Sequence, residues 1–311
     1  MLLGVWAVVL TAVVVFSAAG QDVLPSRAKL SSQGKKVSTV FDTAFADAKE
    51  AGTIHVEVKG NLDNSMPSCF RNRKTNKITR PELLRPAAKI LSDGQRPLRI
   101  LHIGDSHVAG EDFPKAVKAT LTSHLGAAES SDEGTGIWFR FIGSNGATTN
   151  RFLTESYMNR FSSHRPDLII LSFGTNEAHG MGYREDQHEK DLDKFLTALQ
   201  KACPEATILL TTPPGDYLGT RAGSRSRARR ATKENPMSSR CAAFLENYGK
   251  SHNLPVWDLF TICGGKEAAQ RNWVTAGLMQ KDRIHFQPEG YTLHGRLLGN
   301  AIISALSGEE P

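Results

Sequence analysis

The chain has 311 residues, of which 40% are hydrophobic and 23% are charged. This length allows one α/β domain of about 200 residues and a smaller N-terminal part. The net charge of +6 is modest. No nucleic-acid-binding motif accompanies the basic residues, and no aromatic residues interleave them, so we do not expect a nucleic acid partner.

The first twenty residues are mostly apolar or small. Residues 2–19 contain no charged side chain, and small residues follow one another at 17–20. This pattern predicts a secretory signal peptide over residues 1–20, although no Lys or Arg precedes the apolar stretch. The alternative is an uncleaved membrane anchor over residues 2–19, since about eighteen apolar residues is the lower limit for a span. We expect cleavage, which leaves no integral membrane span and places the protein in the periplasm or outside the cell.

Residues 21–97 form a predicted N-terminal extension. After a polar start, the apolar spacing predicts a helix over 38–52, a short strand at 54–58 and a helix over 81–91. The stretch at 61–77 is rich in Lys, Arg and Asn and is expected to be a loop. Periodic apolar sequence is too sparse here for an independent core, so we expect the extension to pack on the main domain.

From residue 98 onward, short apolar runs alternate with helical patterns, and this stretch forms the predicted main domain, residues 98–311. The predicted strands are 98–103, 137–142, 168–173, 206–210 and 255–259. The predicted helices are 114–125, 187–203, 237–252 and 288–306. Strands of continuous apolar character separated by helices indicate a parallel sheet covered on both faces. We therefore predict an α/β fold, a three-layer αβα sandwich around a five-stranded, mostly parallel sheet.

Two of these strands are followed by side chains that suit catalysis. Ser106 follows the first strand in Gly104-Asp105-Ser106-His107, and Asn176 follows the third. Right-handed crossovers bring the loops after parallel strands to one edge of the sheet, where ligands bind. A serine at a strand-to-helix turn suits a nucleophile, because free N–H groups at a helix start can hold an oxyanion. Helix capping and turn formation are the alternative roles.

A late loop contains Asp282 and His285, three residues apart. Serine catalysis needs a base that takes the hydroxyl proton and a carboxylate that orients the base. We therefore predict that His285 is the base and Asp282 the carboxylate, both beside Ser106. A capping or turn role is the alternative for Asp282.

These motifs resemble those of the SGNH (GDSL-like) hydrolases over residues 98–305. The similar segments are Gly104-Asp105-Ser106-His107, Gly143-Ser144-Asn145-Gly146-Ala147-Thr148-Thr149, Gly174-Thr175-Asn176-Glu177 and Asp282-Arg283-Ile284-His285-Phe286. The resemblance is strongest to the branch that holds bacterial peptidoglycan O-acetylesterases. It implies the flavodoxin-like SGNH fold, a catalytic triad of Ser106, His285 and Asp282, and an oxyanion hole. The oxyanion donors would be the backbone N–H groups of Ser106 and Gly146 and the side chain of Asn176.

The resemblance further implies an exported serine esterase without a cofactor. Its substrate would be an acylated polysaccharide of the cell envelope or elsewhere, from which it removes O-acetyl or another short acyl group. Two alternatives stay open: an O-acyltransferase with the same triad, and a non-catalytic glycan-binding protein. His107 and Glu177 are expected only to shape the pocket. Candidates for contact with a sugar are His179, Asn272 and Trp273, although Trp and Asn commonly have structural roles.

The cysteines and one basic segment remain to be assigned. The cysteines are Cys69, Cys203, Cys241 and Cys263. They lack C-x-x-C spacing and a nearby histidine, so we predict no metal site. We expect them to be buried, or to form at most two disulfides after export. Six basic residues and no acidic one lie between Arg221 and Lys233. This segment is a candidate for contact with an anionic polymer, and a solvated loop is the alternative.

Overall fold

In a computed structural model of the protein, residues 54–219 and 232–308 are described. Helices cover both faces of a six-stranded sheet. The predicted α/β class with a mostly parallel sheet is therefore confirmed. The signal peptide predicted over 1–20, the helix predicted over 38–52 and most of the basic segment lie outside the described residues.

The described residues form eight strands and ten α-helices. The strands are β1 (Ile78–Thr79), β2 (Leu98–Gly104), β3 (Ile137–Gly143), β4 (Leu168–Ser172), β5 (Thr207–Thr211), β6 (Tyr217–Gly219), β7 (Thr232–Glu234) and β8 (Val256–Trp257). The α-helices are α1 (Arg85–Asp93), α2 (Ser106–Ala109), α3 (Asp112–Leu125), α4 (Glu155–Ser163), α5 (Thr175–Ala178), α6 (Glu185–Ala202), α7 (Pro236–Ser251), α8 (Leu259–Ile262), α9 (Gly265–Thr275) and α10 (Pro288–Ser307). Two 3-10 helices lie at Pro81–Leu84 and Thr149–Phe152.

The main sheet has the strand order β1-β8-β5-β4-β2-β3. Its last five strands are parallel, and β1 pairs antiparallel with β8 at one edge. All five predicted strands of the main domain are thus present, and the extension adds a sixth. We missed β1 because two residues are too few to show alternation. The strand predicted at 54–58 is wrong, since these residues have no regular secondary structure.

The core lies on both faces of the central strands. Every residue of β4 and β5 is buried. Successive side chains of a strand point to opposite faces, so Leu168 and Ile170 join one apolar cluster while Ile169 and Leu171 join the other. The first cluster includes residues of α3 and α10, and the second includes residues of α6 and α7. These helices therefore form the outer layers.

The described part of the extension is attached to β8 and α10. Asn76 donates from Nδ2 to the carbonyl of Leu297 at 2.7 Å and accepts from Trp257 Nε1 at 2.9 Å. Asn300 Nδ2 donates to the carbonyl of Asp63 at 2.7 Å. These contacts are side-chain hydrogen bonds to buried elements of the main domain. The boundary that we placed at residue 97 remains a prediction.

Two glycines at strand ends allow α2 to lie directly against the sheet. A Cβ atom at Gly104 would lie 2.4 Å from Val108 Cγ2, and one at Gly143 would lie 2.2 Å from the backbone nitrogen of Ala109. Both separations are far shorter than van der Waals contact. Because Ser106 is the first residue of α2, this close approach sets the height of its side chain above the sheet.

The variant Gly143→Ala should lower the free energy of unfolding by about 1–3 kcal/mol, because the new methyl group meets the backbone of α2 and not a movable side chain. Chemical denaturation measures the effect. Gly182→Ala is the matched control, since a Cβ atom there meets nothing within 4 Å. Equal stabilities for the two variants would contradict the close packing of α2 on β3.

Candidate active site

Ser106, His285 and Asp282 form a continuous series of hydrogen bonds. The Oγ atom of Ser106 lies 3.0 Å from Nε2 of His285, and Nδ1 of His285 lies 2.7 Å from Oδ2 of Asp282. A carboxylate can only accept, so Nδ1 carries the proton and Nε2 is free to accept one. The structure thus brings together the three residues that we singled out as nucleophile, base and carboxylate.

The loop between α9 and α10 holds Asp282 and His285 in place. Oδ1 of Asp282 accepts the backbone N–H groups of Ile284 at 3.0 Å and His285 at 3.1 Å. Arg283 takes a left-handed conformation with φ of 56° to make this turn. Burial raises the pKa of Asp282, but the hydrogen bonds from the His285 side chain and from the two backbone N–H groups outweigh it and hold that pKa below its usual value. Asp282 is therefore charged at neutral pH.

Asp105 builds the turn that presents Ser106. Its Oδ1 atom accepts the backbone N–H of His107 at 2.9 Å and so caps α2. The side chain is buried, and burial raises its pKa to about 8. Asp105 therefore holds this turn by capping α2.

Three candidate oxyanion donors come from three different loops. The backbone N–H groups of Ser106 and Gly146 have no acceptor among the residues that the structure describes. Gly146 has a φ of +67°, which glycine adopts at no steric cost, in a turn closed by the hydrogen bond from Ala147 N to Ser144 O. Asn176 donates from Nδ2 to the carbonyl of Ala147 at 2.9 Å. Because an amide nitrogen has two N–H groups, one remains for a substrate oxygen.

The carboxyl group of Glu177 holds the same loops together by hydrogen bonds. Its two oxygens accept the backbone N–H groups of Gly174 at 2.9 Å and Thr149 at 3.1 Å. Burial raises its pKa to about 7. Glu177 and Asn176 together join the loop after β4 to the loop after β3, so the relative position of the candidate donors depends on both.

His107 supports His285 from inside the protein. Its ring centroid lies 5.5 Å from that of His285, and its Nδ1 atom lies 3.0 Å from the hydroxyl of Tyr291. Burial lowers the pKa of His107 to about 3. A neutral, buried ring in this position packs against the candidate base and leaves no second positive charge beside it.

Two of the three candidates for sugar contact are wrong. Asn272 is buried and donates to the backbone carbonyls of Arg71 and Cys263, both at 2.8 Å. Trp273 has no exposed surface. Trp273 stands four residues after Ala269, which is also fully buried, so both residues lie on the inner face of α9. The third candidate, His179, keeps an exposed side chain that is paired with Asp216.

The cysteines lie among residues 54–219 and 232–308, and the expectation of burial or a disulfide is wrong for Cys69. All four cysteines are free, three of them buried and Cys69 exposed. In this part of the chain, no group of three His, Cys, Asp or Glu side chains is placed to hold a metal ion. None of the helices described here combines the length and apolar character that crossing a membrane requires.

Comparisons with known proteins identify the family and the fold of this chain. The sequence profile of the GDSL-like Lipase/Acylhydrolase family matches residues 102–293. A solved peptidoglycan O-acetylesterase superposes with a TM-score of 0.60 at 16% sequence identity, over 72% of this chain and 96% of that one. An acetyl xylan esterase gives a TM-score of 0.44 at 16% identity, over 64% of this chain and 97% of that one. The first of these two likenesses shows the fold.

A curated relative matches a smaller part of the chain. It is the methanol utilization control regulatory protein MoxX of Paracoccus denitrificans, with 25% identity over 166 residues. The match covers 52% of this chain and 59% of that protein. The chain therefore spans little more than half the length of this relative.

The free energy of unfolding should fall as the pH rises from about 5 to about 8. The raised pKa values of Asp105 and Glu177 mean that the folded protein keeps protons that the unfolded chain releases. This stabilisation is complete below an ordinary carboxyl pKa and is lost as the pH rises through the folded-state pKa values. Each group contributes roughly 1 kcal/mol per pH unit within its window.

The variant Asp105→Asn tests the direction of this pH dependence, because the Asn side chain still accepts the His107 N–H but cannot titrate. Denaturant unfolding across the same pH range should show a shallower pH dependence for Asp105→Asn than for the wild type. The exposed Asp93 provides the control, since Asp93→Asn should leave the slope unchanged. Parallel curves for the wild type and Asp105→Asn would count against a protonated buried carboxyl at this position.

Proposed function

This chain belongs to the GDSL-like lipase/acylhydrolase family, and from that premise we propose that it is a carboxylic ester hydrolase that removes O-acetyl groups from a polysaccharide. Ser106 is the nucleophile, His285 the general base and Asp282 the residue that orients His285. The observation that carries the proposal is the 3.0 Å separation of Ser106 Oγ and His285 Nε2, with Asp282 on the far side of the ring.

The reaction proceeds through an acyl-enzyme. Ser106 Oγ attacks the ester carbonyl while His285 Nε2 takes the hydroxyl proton. His285 then gives this proton to the sugar oxygen as the ester bond breaks. His285 then takes a proton from a water molecule, whose oxygen attacks the acyl group on Ser106. Acetate leaves as the bond to Oγ breaks, and His285 returns the proton to Oγ. Asp282 remains charged throughout and stabilises the imidazolium form of His285 in both halves of the reaction.

The oxyanion that forms in each half is held by three donors. These are the backbone N–H groups of Ser106 and Gly146 and the free N–H of the Asn176 amide. Each such donor lowers the barrier by about 3 kcal/mol in other acyl-transfer enzymes. The hydrogen bonds that Asn176 and Glu177 make to the neighbouring loop hold these groups in place before the reaction begins.

A polymeric, polar substrate suits the position of the site. The side chains of His285 and Asp282 are 33% and 42% exposed. The leaving-group side of Ser106 therefore opens to solvent, where a long sugar chain has room. The fold shared with a peptidoglycan O-acetylesterase supports the same class of substrate. Cleavage of residues 1–20 and export to the periplasm or cell exterior are part of the proposal, because such polymers lie there.

The basic segment between Arg221 and Lys233 is proposed to contact an anionic part of this polymer. The strand before this segment, β6, begins at Tyr217, and the backbone N–H of Tyr217 donates to the carbonyl of Arg283 at 3.1 Å. The strand after it, β7, pairs with β6. The strands that flank the segment therefore lie beside the loop of Asp282 and His285.

Replacement of Ser106 or His285 by Ala should lower kcat/KM for acetate release at least about 10³-fold, and Asp282→Asn should have a smaller effect. Acetate is measured from O-acetylated peptidoglycan, acetylated xylan and p-nitrophenyl acetate. Ser163→Ala, an exposed serine on α4, is the control and should retain full activity. Undiminished activity of Ser106→Ala would refute the mechanism. Acetyl transfer to a sugar without acetate release would instead identify an O-acyltransferase.

The variant Asn176→Ala should lower kcat by about 10²–10³-fold, since it removes one oxyanion donor. Steady-state kinetics on p-nitrophenyl acetate measures this. Glu177→Gln is the matched control, because it weakens the other link between the same loops and leaves the Asn176 amide in place. An equal loss of kcat in both variants would mean that Asn176 acts through loop structure and not through the oxyanion.

A further inference from the structure

A second histidine–aspartate pair lies at the edge of the sheet that carries Ser106. Nδ1 of His179 lies 2.5 Å from Oδ2 of Asp216, the same pairing that His285 makes with Asp282. The Asp216 side chain is 2% exposed, whereas that of His179 is 41% exposed. Across the described residues, no hydrogen bond to Nε2 of His179 is formed. A buried carboxylate thus holds one nitrogen of an imidazole whose other nitrogen is free.

A buried polar network keeps Asp216 in position. Its Oδ1 atom accepts from Asn235 Nδ2 at 2.8 Å and from Ser238 Oγ at 2.7 Å. Its backbone carbonyl accepts from Gln270 Nε2 at 2.9 Å. All of these partners are buried. Burying a carboxylate and its polar partners is unfavourable unless each of them is hydrogen bonded. This buried network therefore holds Asp216 in place, and Asp216 in turn holds the ring of His179 at the surface.

The pair connects two loops that flank the candidate active site. His179 directly follows α5, the helix that contains Asn176. Asp216 directly precedes Tyr217, whose N–H donates to the Arg283 carbonyl and whose ring lies 5.2 Å from the Arg283 guanidinium. His179 is therefore attached on one side to the element with an oxyanion donor and on the other to the loop with the general base.

We propose that His179 binds the sugar part of the substrate by accepting a hydrogen bond at Nε2 from a hydroxyl or amide N–H. This inference rests on the proposed function. In the tautomer whose Nδ1–H donates a hydrogen bond to Asp216, the lone pair of the ring is at Nε2. Sugar hydroxyls and acetamido groups are donors, whereas an acetyl methyl group is not. His179 is thus a specificity-determining residue for the polysaccharide, and Asp216 is a positioning residue that acts through it.

We did not single out Asp216 from the sequence, although one signal was present. It follows the end of β5, as Ser106 and Asn176 follow β2 and β4. Since the carboxyl ends of parallel strands share one edge, a polar residue after each of three neighbouring strands is a pattern that marks this edge as a binding surface.

Kinetics on two substrates test the proposal. His179→Ala should raise KM for O-acetylated peptidoglycan or acetylated xylan about 10-fold, the loss of one good hydrogen bond, with kcat changed less than about 2-fold. With p-nitrophenyl acetate, which has no sugar, both constants should stay at the wild-type values. His179→Gln, whose side chain still has an acceptor oxygen, should recover part of the affinity. Asp216→Asn should shift KM in the same direction, and thermal unfolding of each variant checks that it is folded.

A binding measurement with inactive variants tests the contact of His179 with the polymer without catalysis. Calorimetry compares the affinity of Ser106→Ala and of Ser106→Ala combined with His179→Ala for the intact O-acetylated polymer, and the double variant should bind about 10-fold more weakly. Equal affinities, or no binding by either variant, would overturn the proposal. So would a parallel change in KM for the aryl ester and the polymer.

The two proposals fail in different ways. Acetate release that survives Ser106→Ala would reject the proposed function. Acetate release that needs Ser106 but has the same KM for the polymer in the wild type and His179→Ala would reject the role of His179 and leave the esterase mechanism intact.

Discussion

Ser106 and His285 are 179 residues apart in the chain, yet their side chains lie within 3.0 Å because of the packing of two helices. Ser106 is followed closely by α3, and His285 is followed closely by α10. A Cβ atom at Gly295 would lie 2.3 Å from Ala116 Cβ, and one at Gly299 would lie 2.7 Å from Thr120, so these two helices are in unusually close contact. Because each helix starts a few residues beyond one of the two groups, their separation sets the distance between the serine and the imidazole. The rest of the proposed chemistry needs this distance.

The electrostatic character of the site follows from what is buried around it. Burial raises the pKa values of Asp105 and Glu177 and lowers that of His107, so each of these groups tends toward its neutral form. Asp282, at the surface and hydrogen bonded to two backbone N–H groups, remains ionised. The carboxylate of Asp282 is thus directed at His285, and the buried Asp105, Glu177 and His107 add little charge around the site. In the proposed reaction, such an arrangement stabilises the imidazolium form of His285.

Long elements and motif residues could be predicted from the sequence, and short elements and distant partners could not. The ends of α3, α6, α7 and α10 lie within two residues of their predicted positions because each shows several helical turns of apolar spacing. In contrast, α2, α5 and the β6–β7 hairpin have three or four residues per element, which is less than two periods. Ser106, Asn176 and His285 could be located because they follow strands or stand beside a matching acid. Asp216 also follows a strand, but its pairing with His179 could not be predicted, since the two residues lie 37 positions apart. Trp273 was misplaced because residue type alone does not say which side of a helix faces inward.

The pairing of β1 with β8 has a practical consequence for handling this enzyme. The two residues of β1 cover the edge of β8 by antiparallel backbone pairing. At the same edge, Asn76 accepts a hydrogen bond from the indole N–H of Trp257. A shortened chain starting at residue 98 would keep every group of the triad but would uncover that edge. Open strand edges recruit other chains by backbone pairing. Truncation at residue 98 would therefore favour aggregation, and the residues before this position protect the protein against it.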